Sequence, residues 1–126
     1  MDVNMDSLLS GGGKMRIVQE LVPGKQITLA HLIANPDDVL YAKLGLDPAQ
    51  EHKGAIGILT LSPSETAIIA GDVALKASGV TLGFVDRFSG TVIVTGSVSQ
   101  VEAALTAVTE YAAGKLGFDV CEMTRT

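Results

Sequence analysis

Val80-Thr-Leu-Gly-Phe-Val-Asp-Arg-Phe-Ser-Gly-Thr-Val-Ile-Val-Thr-Gly96 holds two runs rich in β-branched and apolar residues, Val80–Asp86 and Thr91–Thr95, separated only by Arg87, Phe88, Ser89 and Gly90. Two such runs joined by a short turn that carries a glycine read as the antiparallel strands of one hairpin. Upstream, Ala55–Leu61 reads as a further strand. Ser62-Pro63-Ser64-Glu65 then has the Ser-x-x-Glu pattern of a capping box, with proline at the first helical position. It predicts a helix to about Ser78 that Gly79 ends. Ala67, Ala70, Gly71, Ala74 and Ala77 fall on one side of that helix and allow close approach to a sheet or a neighbouring helix. Downstream, Ser99-Gln100-Val101-Glu102 reads as a second box. Val101, Ala104, Leu105, Val108, Ala112 and Leu116 recur at helical spacing until Gly117. Phe118–Thr124 reads as a last strand with Phe118, Val120 and Met123 inward.

The two halves repeat one another: strand, Ser-x-x-Glu, helix, glycine, strand. A βαββαβ order with adjacent central strands predicts an α+β, ferredoxin-like plan, an antiparallel sheet with two helices on one face. That plan carries no function of its own. Arg16–Leu46 lies outside it. Arg16-Ile-Val-Gln-Glu-Leu-Val22 reads as an extended segment stopped by Pro23-Gly24, without an obvious ladder partner in its own chain. Ile27–Ala34 reads as a strand alternating Ile27, Leu29 and His31 against Thr28, Ala30 and Leu32, with a helix through Leu29–Ala34 as the competing reading. Asn35 or Asp37 then caps a short helix over Asp37–Leu44, its apolar stripe on Val39, Leu40, Lys43 and Leu44, which Gly45 ends. Leu46–Lys53 reads as polar connector. The expected organisation is a flexible tail over 1–14, a strand and turn over 15–26, and one domain over 27–126.

Composition narrows the function. The 126 residues are 47% hydrophobic and only 18% charged, with a mean hydropathy of +0.37. Such a chain is expected to turn part of its surface toward other protein. No run of 18 apolar residues is present, so a membrane span is not expected. A net charge of −5, without a basic stripe and with 4% aromatic residues, argues against nucleic acid. The single Cys121 rules out an intrachain disulfide, and no signal-peptide pattern opens the chain, so the reducing cytoplasm is the expected compartment. Gly11-Gly-Gly-Lys14 is followed by Met15 and preceded by no strand, so it is no phosphate loop.

Catalysis requires convergent groups of matched pKa. His31 stands in an apolar setting without a second ligand at metal spacing and reads as a satisfied interior residue; His52 reads as a solvated loop residue. Cys121 alternates into a strand as a small apolar residue. Asp86-Arg87 reads as a solvated pair of opposite charges at a turn. No catalytic, cofactor-binding or metal-binding set is expected, and the chain is not expected to be an enzyme.

Several strings taken jointly are similar to one family. Val22-Pro-Gly-Lys-Gln-Ile-Thr-Leu-Ala-His-Leu-Ile-Ala34, Gly54-Ala-Ile-Gly-Ile-Leu-Thr-Leu61, Ser64-Glu-Thr-Ala67, Ala70-Gly-Asp-Val-Ala-Leu-Lys-Ala77 and Phe84-Val-Asp-Arg-Phe-Ser-Gly90 resemble bacterial microcompartment shell proteins. The resemblance is to the circularly permuted, single-domain kind of ethanolamine, propanediol and choline utilisation organelles, and covers about Arg16 to Thr126. It implies a structural subunit that forms homo-hexamers, tiles edge to edge with other shell proteins around encapsulated enzymes, and works in the bacterial cytoplasm without cofactor. It implies that Ile27–Leu44 stands where unpermuted relatives have their final strand and helix. Arg16, Ile17, Val18, Gln19, Glu20, Leu21 and Val22 would form one strand of a small intersubunit β-barrel over the axis. Asp86, Arg87, Phe88, Ser89 and Gly90 would rim the central pore, and Lys76 would lie at the hexamer edge. Two other readings stand beside it: an oligomeric metabolite-binding regulatory module of the same fold, and an accessory shell protein that docks an encapsulated enzyme.

Overall fold

The computed structural model describes residues 24–46 and 54–126. The expected barrel strand Arg16–Val22, the expected tail and His52 lie outside the described residues. The elements are β1 (Gln26–Ile33), α1 (Asp38–Lys43), β2 (Ala55–Ser62), α2 (Thr66–Ala77), β3 (Thr81–Asp86), β4 (Thr91–Gly96), α3 (Val98–Lys115), β5 (Asp119–Val120) and β6 (Thr124–Arg125). They form one sheet of order β3-β4-β2-β1-β5, with β6 also on the outer edge of β1. From β3 to β1 each neighbour is antiparallel, whereas β5 and β6 run parallel to β1.

Alternation along the strands divides the apolar residues between two faces. Ala55, Leu59 and Leu61 of β2 and Val92 and Val94 of β4 meet the small side of α2 (Ala67, Ala70, Ala74) and the periodic stripe of α3 (Val101, Ala104, Leu105, Val108). The intervening Ile56, Ile58 and Ile93 form a second cluster on the other face, under Tyr41 of α1 and Leu46. Helix α3 lies close on the sheet because position 57 has no side chain: a Cβ there would come within 2.7 Å of Val101 Cγ1. The hairpin, the strand before it and both long helices are where the sequence places them.

Five local expectations are corrected. First, Ile27 shares a face with Ala30 and Leu32 rather than with Leu29 and His31, because the register with β2 slips between Ile27 and Leu29. One inserted residue reverses which side chains face the core. Second, Phe118–Thr124 is not one strand beside β2. The eight-residue β1 fills that slot, so the C-terminal segment pairs in two short pieces with the outer edge of β1. Phe118 is nonetheless buried, and Val120 and Met123 pack on the core. The βαββαβ plan is therefore extended by an inserted β1 and a displaced last strand.

Third, Ser62 does not cap α2. It pairs with Gln26 in the ladder, and the first turn of the helix is closed instead by main-chain bonds from Thr66, Ala67 and Ile68 to Pro63, Ser64 and Glu65. Fourth, the box on α3 is Ser97 and Gln100, not Ser99 and Glu102: Ser97 Oγ accepts from the Gln100 amide at 3.1 Å, and Gln100 Oε1 accepts from the Ser97 amide at 2.9 Å. Fifth, α1 is capped by Asp37 as expected, but turns Tyr41 inward while Val39 and Leu44 stay exposed, and Leu46 is buried rather than part of a polar connector.

Candidate functional site

The five residues expected at the hairpin turn come together in one hydrogen-bonded unit. Asp86 Oδ1 accepts the Phe88 amide at 2.9 Å and Oδ2 accepts the Ser89 hydroxyl at 2.8 Å. Those two donors hold the Asp86 carboxyl below the usual carboxylate range, because both favour its charged form. The Gly90 amide donates to Asp86 O at 2.8 Å, and Gly90 O accepts from the Leu61 amide at 2.9 Å, which ties the turn to the end of β2. Gly90 has φ +80°, and a Cβ on it would lie 2.2 Å from Leu61 O. Only glycine fits there. The fixed backbone thrusts out its two largest side chains: the Arg87 guanidinium stacks over the Phe88 ring, 5.0 Å from its centroid, and Phe88 is 79% exposed.

Lys76 sits in the last turn of α2 and donates to Asp72 Oδ2 at 2.9 Å, one helical turn back. That hydrogen bond, with the attraction of the same carboxylate, holds its ammonium above the usual lysine range. Both side chains remain largely exposed. Around them α2 also exposes Ile68, Ile69 and Leu75. The resemblance points to Lys76 on this side, whereas Ile68, Ile69 and Leu75 stand at the same helical spacing without a reading of their own.

Between α2 and α3 lies an open groove of about 190 Å³ lined by Leu61, Ile69, Ala70, Val73, Val108 and Tyr111. His31 is half-buried on the sheet rather than interior. Its Nδ1 lies 2.6 Å from Thr124 Oγ1 and its Nε2 2.9 Å from Thr126 Oγ1, so it ties the C-terminal segment to β1. Cys121 is half-buried, packed against the core. Among the described residues no three of His, Cys, Asp and Glu are grouped to hold a metal ion, and no helix is long and apolar enough to cross a membrane. Among the described residues, the hydrogen-bonded turn at 86–90 and the outer side of α2 are where the expected site residues fall.

Comparison with known proteins gives one consistent result. A family model described as the BMC domain matches residues 55–123. The chain is 54% identical over 112 residues to the bacterial microcompartment shell protein EutS of Escherichia coli (strain K12), covering 89% of this chain and 97% of that protein. It is 55% identical over 111 residues to the shell protein PduU of Salmonella typhimurium, covering 88% and 93%. Among solved structures it is similar to the CutR flat hexamer, with a TM-score of 0.78 and 48% identity over 83% of this chain and 94% of that one.

Proposed function

The chain belongs to the BMC-domain family of bacterial microcompartment shell proteins, and from that premise we propose that it is a structural subunit assembling as a hexameric tile of such a shell in the cytoplasm. The observation that carries the reading is where it exposes large apolar side chains: Phe84, Val85 and Phe88 at one end of the hairpin and Ile68, Ile69 and Leu75 along α2. A ring needs one contact surface around its axis and another at its rim, and apolar residues left in solvent mark such surfaces. The 86–90 turn lines the axis and Lys76 stands at the rim. The chain performs no chemistry of its own.

The placement of β1 supports a circularly permuted domain. A strand from the N-terminal side occupies the position beside β2 that the plan gives to the last strand, and the C-terminal residues are left on its outer edge. Arg16–Val22 then supplies one strand of an intersubunit barrel that closes over the axis, its partners being the same segment of neighbouring copies. The rival reading, a metabolite-binding regulatory module with its ligand between subunits, is less well supported, since the relatives at 54–55% identity are named as shell proteins; stabilisation by a specific ligand would favour it.

Light scattering with electron microscopy tests the assembly. The expected mass is six times 13.0 kDa, with sheets, tubes or rings in the images. A stable monomer or dimer under all conditions overturns the reading. Deleting Met1–Val22 is expected to leave a folded domain that lacks the barrel; loss of all folded structure on circular dichroism overturns a separate barrel.

A further inference from the structure

The open groove between α2 and α3 is apolar throughout. Leu61, Ala70 and Val108 are buried in it, and Ile69 and Tyr111 stand higher, 41% and 40% exposed. One end of the groove lies where the chain enters the described residues. Leu61 precedes Ser62, which pairs with Gln26. Leu116 also lines the groove, and just beyond it the Asp119 amide donates to Lys25 O at 3.0 Å. The chain before Gly24 therefore leaves the described residues at the Leu61–Leu116 end of this groove.

The first ten residues, Met1-Asp-Val-Asn-Met-Asp-Ser-Leu-Leu-Ser10, have the pattern that suits such a groove. At 3.6 residues per turn Leu8, Met1, Met5 and Leu9 fall in that angular order within about 100° of the circumference, the i, i+4, i+7, i+8 spacing of an amphipathic helix. Asp2, Asp6, Ser7 and Ser10 fall outside that arc. Methionine, unbranched, fills irregular apolar recesses. Ten residues of helix are about 15 Å long, against about 18 Å for α2. A helix this short is marginal in water and needs an apolar surface to lie on. Gly11-Gly-Gly13 follows, a composition that lets a chain turn back. From Ser10 to Gly24 the chain reaches at most about 50 Å. With Arg16–Val22 drawn out as a barrel strand, the residues from Arg16 back to Ser10 still reach about 20 Å, which returns the tail most of the way along that strand. Met1–Ser10 precedes the part of the chain similar to shell proteins, which begins at about Arg16, so the ring does not give it a role.

We propose that Met1–Ser10 docks as a helix in the groove between α2 and α3 of its own chain, with Met5, Leu8 and Leu9 against Ile69, Val73 and Tyr111. Ser10 then lies nearest the Leu61–Leu116 end, where the chain enters, and Met1 farthest from it. The contact does not rest on the shell reading: it needs only the groove, the spacing of the tail and the place where the chain enters.

The test uses the full chain with Tyr111→Trp. The sequence has no tryptophan, so the new indole reports on the groove alone. Acrylamide quenching of its emission is measured with the tail unaltered and with Leu8→Asp/Leu9→Asp, which puts carboxylates on the apolar side of the spacing. The quenching constant is expected to rise about twofold or more, because a charge is not buried against apolar side chains without a partner. Val3→Asp/Ser7→Asp adds the same charge on the opposite side and is expected to leave the constant unmoved. No rise with the first pair, or an equal rise with both, overturns the proposal. Disulfide trapping then identifies the occupant. In a Cys121→Ala background, Leu9→Cys/Ile69→Cys is expected to close within one chain at about tenfold the yield of Ser7→Cys/Ile69→Cys, since a disulfide forms only where the two Cβ atoms approach. Equal yields, or a link between two chains, overturn it.

Discussion

The hairpin turn at 86–90 and the outer side of α2 both hold bulky side chains in solvent, but by opposite means. The turn is shaped by its backbone. Two donors converge on Asp86, Gly90 adopts a conformation open only to glycine, and main-chain bonds run to Leu61 and Asp86. The helix face is shaped by composition alone: a regular backbone, three aliphatic residues and one ion pair. A surface of the first kind is expected to fail when its backbone, or the carboxylate that organises it, is altered. One of the second kind is expected to keep its fold through almost any exposed substitution and to respond to charge.

The largest expected effect breaks the turn. Gly90→Ala forces an L-residue to a positive φ and drives a Cβ onto Leu61 O, and is expected to cost about 3 kcal/mol in denaturant unfolding. A loss within 0.5 kcal/mol, roughly the scatter of surface substitutions, removes the turn's claim to rigidity. Next comes the acid dependence of the same turn. Asp86 is held below its ordinary pKa by its two donors, so its contribution is fully present above the unfolded value of about 3.9 and is lost as pH falls through the folded value. Asp86→Asn is expected to lower the thermal midpoint at pH 7, and the gap from the unaltered chain is expected to close as the solution is acidified below about pH 4. A gap that persists unchanged at low pH assigns the effect to something other than the carboxylate.

The smallest effect on stability is expected on the helix. Lys76→Ala removes an exposed ion pair of a kind that contributes little to folding. It is expected to leave the midpoint and the ring mass unmoved while weakening sheets seen by electron microscopy. Dissociation to monomers sinks the placement of Lys76 at the rim. Together the three substitutions sharpen the contrast, since damage to the turn, at Gly90 or Asp86, reads out in unfolding and loss of the charge on the helix in lateral assembly.

Much of this was legible in the sequence, and what escaped it has identifiable causes. Thr91–Gly96 and Thr81–Asp86 announce themselves through β-branched alternation across Arg87–Gly90, and the five turn residues are contiguous, so locating one locates all. The bulge beside Thr28 is invisible because register is set by the partner strand, 32 residues away. Ser62-Pro63-Ser64-Glu65 matches a box by letters, yet Ser62 is committed to a ladder with Gln26, a long-range fact. Around Ser97 the pattern occurs twice, as Ser97 with Gln100 and Ser99 with Glu102, and letters alone cannot choose between them. The fate of Phe118–Thr124 depended on a competition with Ile27–Ala34 for one slot, which the longer strand wins. On the outer side of α2 the resemblance singles out Lys76, while its exposed neighbours Ile68, Ile69 and Leu75 follow from the same helical spacing.

The position of β1 has a consequence for how the chain comes to be folded. Its inner edge is paired once β2 exists, 32 residues along from Thr28 to Thr60, but its outer edge waits for residues that lie 93 further on, from His31 to Thr124. Pairings of such separation are slow to form. During synthesis the first strand of the sheet therefore stands half-paired while nearly everything else assembles, and it is sealed last. A nascent or truncated chain that stops short of Thr124 presents that open edge as a template to any neighbour with a free strand.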